Sequence, residues 1–256
     1  MSMPQFLQGL KKLPFQDEKI PVHKIETAYG ELSFLMFGET TEFRVRTFFT
    51  KEPETLAWID GFQPGDIFWD IGANIGLYAM YAACRKNLKV FAFEPSPVNF
   101  WLLTTSSAVN NFEGRLVTLP FALTDSKTIL YFSPNAAAAS ADNQVLGMGV
   151  TAVQTYSIDE LIAIQPDSFP NHIKIDVDGI EPLILAGAKN TLKDARLVSL
   201  MIEVDEREEE TKGSMVELLT QAGFGQPIKR HSPYFDKNHY LPLSNYIFTR
   251  KRPQSD

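Results

Sequence analysis

Downstream of Gly61 the chain alternates compact apolar runs with segments of helical period, and this alternation constrains the fold more than any other feature. The apolar runs are Ile67–Trp69, Lys89–Phe93, Leu116–Leu123, His172–Val177 and Leu197–Ile202. Helix-period segments lie between most of them, at Ile75–Asn87, Val98–Asn111, Ile158–Gln165 and Ile180–Leu192, with another at Thr211–Gly223. Strands separated by helices predict βαβ units and a mostly parallel sheet. Near-continuous apolar strands fit burial on both sheet faces. Asn245–Thr249 reads as a last strand.

The first fifty residues differ. Short alternating runs, Lys24–Ala28, Leu32–Phe37 and Phe43–Phe48, are punctuated by Gly30 and Gly38 and predict a small antiparallel β preamble. Pro53–Asp60 reads as a helix with proline in its first turn. The expected division is therefore a preamble over 1–50, packed on one domain over 51–256. Two connections, 133–149 and 226–240, exceed what a minimal α/β fold needs, and long connections of this kind often shape a pocket.

The chemistry concentrates in Phe68-Trp-Asp70-Ile-Gly72-Ala-Asn74-Ile-Gly76. An apolar strand ends in an acid, a glycine turn follows, and a helix begins. The glycines permit close backbone approach, and the helix start offers unpaired N–H groups. This is not the dinucleotide pattern, because Asn74 is bulkier than the second glycine there and an acid precedes the turn. A negative charge at this point disfavours a pyrophosphate and favours a cationic ligand. The next strand ends in Glu94, 24 residues after Asp70, placed to bind ribose hydroxyls. A nucleoside carrying a positive charge satisfies both acids, and S-adenosylmethionine is such a ligand.

Asp70–Gly76, the Phe93-Glu94-Pro95 turn and Ile173-Lys-Ile-Asp176-Val-Asp178-Gly-Ile-Glu181 together resemble the FkbM-type methyltransferases of class I. The resemblance spans about Glu52 to Glu203, with a weaker echo at Asn245–Phe248. It implies a Rossmann-like, seven-stranded, mostly parallel doubly wound sheet with S-adenosyl-L-methionine as cofactor. It also implies that Asp70, Gly72 and Gly76, with Asn74 between them, hold the methionine end. Glu94 would bind the ribose, and Pro95, Ser96 and Ala122 would border the adenine, with Asp176 completing the set. The family has glutamate where this chain has Asp178, one methylene shorter.

Transfer to an aliphatic hydroxyl requires removal of its proton. Carboxylates at the ends of the fourth and fifth strands are the candidates: Asp176, Asp178 and Glu203 as catalytic groups, with Glu181 and Asp205 nearby. Helix N-terminal capping is an alternative reading of Asp178 and Glu181. Magnesium held by such carboxylates is conceivable but not favoured, and no metal ligand is assigned. His172 opens a strand and reads as structural, while His231 and His239 lie in the second long connection. Cys84 sits inside an apolar helix and reads as core.

Composition narrows the partners. With 24 basic and 31 acidic residues the net charge is −7, a poor match to nucleic-acid backbones. One cysteine excludes an intrachain disulfide. No run reaches membrane-spanning length, and Met1–Ile20 carries no leader-like apolar core, so a soluble cytoplasmic protein is expected. The expected acceptor is a small molecule or glycan, such as a sugar or natural-product hydroxyl. A peptide nitrogen and a catalytically inactive cofactor-binding module are the alternatives.

Overall fold

A computed structural model describes residues 20–132, 151–177, 179–232, 234 and 242–252. Strands β1 (Val22–Thr27) and β2 (Gly30–Leu35) form the expected antiparallel hairpin. The third run of the preamble is not a strand: Gly38–Arg46 is helix α1. Thr41, Val45 and Phe48 recur at helical spacing and are all buried, so the 3.6-residue period prevails over the two-residue alternation through Phe43 and Val45. Glu39 in the first turn and Arg44 and Arg46 in the last suit the helix dipole. Helix α2 (Pro53–Asp60) follows as expected.

The main sheet contains β3 (Ile67–Ile71), β4 (Lys89–Phe93), β5 (Leu116–Leu119), β9 (His172–Ile175), β10 (Ser199–Asp205), β11 (Ile228–Arg230) and β12 (Leu243–Thr249). Its order is β11-β12-β10-β9-β3-β4-β5. The strands β10 to β5 are parallel, while β12 runs antiparallel to β10 and β11 antiparallel to β12. The seven-stranded, doubly wound class I methyltransferase fold expected from the sequence is therefore present. Short β11 lies inside the second long connection, where its three exposed residues carry no alternation to betray a strand.

Both faces of the sheet are covered, which explains the continuous apolar runs. Phe68, Val90 and Ala92 join one core with β2, α1, α3 (Leu77–Cys84) and α4 (Pro97–Val109). Trp69, Ile71, Phe91 and Phe93 join the other, with β9, β10, α6 (Glu181–Ala186) and α7 (Glu209–Gln221). The hairpin is tied to α4 by Leu35 N–H on Ser106 Oγ and Ser33 N–H on Asn110 Oδ1. Cys84 is buried, as expected, with its Sγ on the carbonyl of Tyr29.

The run Leu116–Leu123 is split by Pro120, which lacks a ladder N–H. Its second half, β6 (Ala122–Leu123), leaves the main sheet for a small one with β8 (Thr151–Tyr156) and β7 (Ile129–Phe132). Helix α5 (Ile158–Ile164) starts with a capping box between Ser157 and Glu160. No helix among the described residues is long and apolar enough to cross a membrane.

A polar lock closes the amino-terminal edge of the sheet. His172 Nε2 meets Asp66 Oδ2 at 2.8 Å, its Nδ1 meets Ser199 Oγ at 2.7 Å, and its ring stacks on Phe62. Arg252, beyond β12, grips Asp66 with both terminal nitrogens. Burial would raise Asp66, but His172 and Arg252 hold it below the usual carboxylate range. The arrangement confirms His172 as structural. Asp66→Ala should cost about 1–3 kcal/mol in urea unfolding, because it takes the partner from the buried Nε2 of His172 and from the Arg252 guanidinium. Arg252→Ala, at a partly exposed site, should cost about 1 kcal/mol. Equal losses would place the strength of the lock elsewhere.

Candidate active site

After β3 the chain turns to β4 and β5 on one side and later returns to β9 and β10 on the other, so strand order reverses between β3 and β9. Doubly wound sheets bind ligands at the carboxyl ends beside such a reversal. Asp70, Glu94, Asp176 and Glu203 lie near those ends.

The Asp70–Gly76 turn is pinned by N–H groups of Gly72 and Ala73 on the carbonyl of Phe93. Gly72 has φ +82°, and a Cβ there would sit 1.9 Å from the carbonyl oxygen of Asp176. Gly76 has φ +88°, and a Cβ there would sit 2.3 Å from Leu103 Cδ1. The sequence suggested glycines for close approach to a ligand. The close approach the fold itself demands is to β9 on one side and α4 on the other. Asn74 also takes positive φ, and its side chain accepts from the N–H of Ile75.

Glu94 binds this turn to the next strand. Its Oε2 accepts from Asn74 N–H and its Oε1 from Ser96 N–H, each at 2.8 Å. Burial pushes its carboxyl up to about 7 despite those donors. Pro95 and the buried Ser96 lead into α4, where buried Asn99 has an unpartnered Oδ1. Ala122 is buried in β6, opposite Thr155. Asp70 is enclosed at the end of β3, and neither carboxylate oxygen makes a hydrogen bond. Burial drives its carboxyl up to about 6, against the pull of Lys174.

A second group of charges lies toward β9 and β10. Carboxylate oxygens of Glu52, Asp176 and Glu203 all come within 4.8 Å of one another. Lys174, buried in the middle of the sheet, ends on Asp176 Oδ2, while the Asp176 side chain remains 24% exposed. Lys51 Nζ lies 3.3 Å from Glu52 Oε1. Thr55 Oγ1 donates to Glu52, and the Asn245 amide donates to Glu54 at 3.0 Å and reaches Glu52. Burial would raise Asp176, but Lys174 and Lys51 outweigh it and keep that carboxyl below the usual carboxylate range. Burial, followed by repulsion from Asp176 and Glu52, drives Glu203 well above it. The pair is thus driven apart, Asp176 toward its ionised form and Glu203 toward its protonated form.

Other expected residues fall elsewhere. Asp178, His239 and the segment 133–149 lie outside the described residues. Glu181 accepts from Gly179 N–H at the start of α6, which is the helix-terminal role. Asp205 is engaged by the Arg207 guanidinium. His231 Nδ1 is bonded to the carbonyl of Leu243.

Residues 70–225 match the methyltransferase FkbM domain family. The chain belongs to this family. Hexuronic acid methyltransferase AglP of Haloferax volcanii is 34% identical over 140 residues, covering 55% of this chain and 57% of AglP. The chain thus matches little more than half the length of that relative. The 31-O-demethyl-FK506 methyltransferase FkbM of Streptomyces tacrolimicus is 28% identical, covering 63% of this chain and 74% of its own. The Methanococcus jannaschii fibrillarin pre-rRNA processing protein shares the fold, with TM-score 0.51, 14% identity and coverage of 93% and 86%. The FkbM match begins at Asp70, so Lys51 and Glu52 precede it and Asn245 follows it.

Those three residues, with Lys174 and Asn99, were not singled out by the sequence. Glu52 resembles an ordinary acid beside a helix start, yet it makes no side-chain cap to α2. Lys174 did carry a signal: a lysine inside a central apolar strand must find buried acids.

The two glycines should differ on substitution. Gly76→Ala should cost about 1–3 kcal/mol, and Leu103→Val in the same chain should recover part of it, since only a side-chain end obstructs. Gly72→Ala should cost more and gain nothing from Leu103→Val, because its obstacle is backbone. Thermal melts of the three variants and the two double variants check this, and equal rescue would refute it.

Proposed function

We propose that this FkbM-family protein transfers a methyl group from S-adenosylmethionine to a hydroxyl of a sugar or sugar-bearing natural product. The supporting observation is the juxtaposition, at one sheet edge, of the unpartnered buried carboxylate of Asp70 and the network of Glu52, Asp176, Glu203 and Lys174. An enclosed carboxylate with no side-chain donor, and only the Ala79 N–H of α3 bearing on it, fits a ligand that brings positive charge and N–H groups. Glu94 spends one lone pair of each oxygen on backbone and keeps others for ribose hydroxyls. The printed activities of AglP and FkbM support a sugar or natural-product acceptor.

When bound, the cofactor supplies an electrophilic methyl on a sulfonium. On the protein side, Asp70 and the α3 start hold the cationic end and Glu94 the ribose. Asp176, ionised and open to the crevice, accepts a hydrogen bond from the acceptor hydroxyl and aims its oxygen. A low-pKa carboxylate suffices as base, because the hydroxyl proton becomes strongly acidic as the new C–O bond forms. The proton passes to Asp176, and the C–S electron pair stays on sulfur. Lys174 keeps Asp176 ionised and fixed until then. Lys174 and Lys51 already match Asp176 and Glu52 in charge, so the network is read as metal-free, with no magnesium required.

Asp176→Asn should lower turnover by at least about 100-fold while S-adenosylmethionine affinity stays within several-fold. Glu203→Gln, which mimics the protonated acid, should lower turnover less. Mass detection of methylated product and calorimetry check both, and full turnover by Asp176→Asn would remove it from the mechanism. Cofactor binding should also depend on pH. Burial raises Asp70 to about 6 and Glu94 to about 7, and a cationic ligand favours the ionised forms, so binding releases protons. S-adenosylmethionine affinity should rise from pH 5.5 to about 8 and then level, and affinity that falls over this range would contradict the assignment.

A further inference from the structure

We infer that Asn99 reads the cofactor, its side-chain carbonyl oxygen accepting one ribose hydroxyl beside Glu94. This rests on the methyltransferase reading and adds a residue to the same site. Asn99 heads the inward stripe of α4, with Leu102, Leu103 and Ser106 following at helical spacing. An asparagine there takes a place that the pattern would give to an apolar side chain, and it is 1% exposed. A polar group enclosed in this way persists only where its donors and acceptors are answered.

The neighbouring polar side chains of α4 are answered within the fold. Ser106 Oγ accepts from Leu35 N–H, and the amide just after α4, Asn110, bonds both the N–H and the carbonyl of Ser33. Asn99 differs. Its amide N–H lies close enough to the Glu94 carboxylate to favour the ionised acid. Its Oδ1 is buried without a hydrogen-bond partner among the described residues. Helix capping does not account for it. Asn99 is the third residue of α4, where a side chain can reach back to the N–H of the residue before the helix. That N–H, of Ser96, is already held by Glu94 Oε1 at 2.8 Å.

The amide is thus answered at its donor end by Glu94 and unanswered at its acceptor end. Glu94 is the acid proposed to hold the ribose, so the ligand edge arriving beside Asn99 carries hydroxyls, which bring the missing donor. Each Glu94 oxygen already accepts a backbone N–H, from Asn74 or Ser96. A second acceptor next to it lets the 2′ and 3′ hydroxyls donate to separate groups, one to Glu94 and one to Asn99. An amide suits this place better than another acid. It adds an acceptor without adding negative charge beside a carboxyl that burial already makes hard to ionise.

The test is calorimetry on the full chain with S-adenosylhomocysteine and with its 2′-deoxy and 3′-deoxy forms. It is run near pH 8.5, above the value of about 7 to which burial raises Glu94. Each deoxy ligand should bind the unaltered chain about 10-fold more weakly than the parent, the range of one hydrogen bond. Asn99→Leu, similar in volume, should abolish one of the two penalties and keep the other. Asn99→Asp retains an oxygen in place and should keep both, even though overall affinity falls. Taking the ratios within each variant removes any general loss of binding. Unchanged penalties in Asn99→Leu, or equal affinity of the unaltered chain for all three ligands, would overturn the contact. Loss of both penalties together would also overturn it, since Asn99 would then act only through Glu94. If Asn99→Leu fails to fold or to bind, Asn99→Ser supplies the same ratios. Failure of the unaltered chain to bind S-adenosylhomocysteine would count against the methyltransferase reading itself, whereas binding with penalties indifferent to Asn99 would sink only this inference.

Discussion

A lysine ammonium enclosed in the centre of a sheet has to be met by carboxylates, and Lys174 imposes that demand here. Its side chain is 2% exposed and sits between β3 and β10. An unmatched buried charge is far too costly to persist in a fold. Asp176 meets it directly, with Glu52 and Asp70 near enough to keep it charged despite burial. Removing any one acid would leave the rest of the network out of balance. The same charge favours the ionised form of Asp176, while burial, followed by repulsion from Asp176 and Glu52, pushes Glu203 the other way. One enclosed ammonium therefore favours the ionised Asp176 on which the proposed chemistry depends.

The glycine turn serves that network as much as a ligand. Gly72 lets the backbone after β3 touch the carbonyl of Asp176, so the turn and Asp176 are held at a fixed separation. Glu94 fastens the far side of the turn to the start of α4. The glycine turn, Glu94 and Asp176 are thus parts of one edge. Across the sheet, the lock of Asp66, His172 and Arg252 closes the opposite edge without entering the site.

The family match starts at Asp70, so the hairpin, α1 and Glu52 lie before it. Such a division is physically reasonable. The strand ends carry the glycine turn and the acids, while the preceding hairpin and helix can change without disturbing the sheet's hydrogen bonds. The preamble packs into the same apolar core as α3 and α4.

Local pattern by itself determined the alternation of strands and helices, the strand ending in Asp70, the glycine turn and the acid at Glu94, because each depends on neighbours in sequence. It misjudged Phe43–Phe48, where two periods overlap and only burial of Thr41, Val45 and Phe48 on one face decides for helix. It also passed over β11, whose exposed residues have no pattern. Only the tertiary structure brought Glu52, Asp176 and Glu203 together and set Asn245 beside them, from positions up to 193 residues apart. Only the packing drove two chemically similar acids apart, with Lys174 and Lys51 pulling Asp176 down while burial and the neighbouring acids push Glu203 up. A carboxylate's charge depends on the dielectric and the ions around it, and those are fixed by packing between distant segments rather than by the residues beside it in the chain.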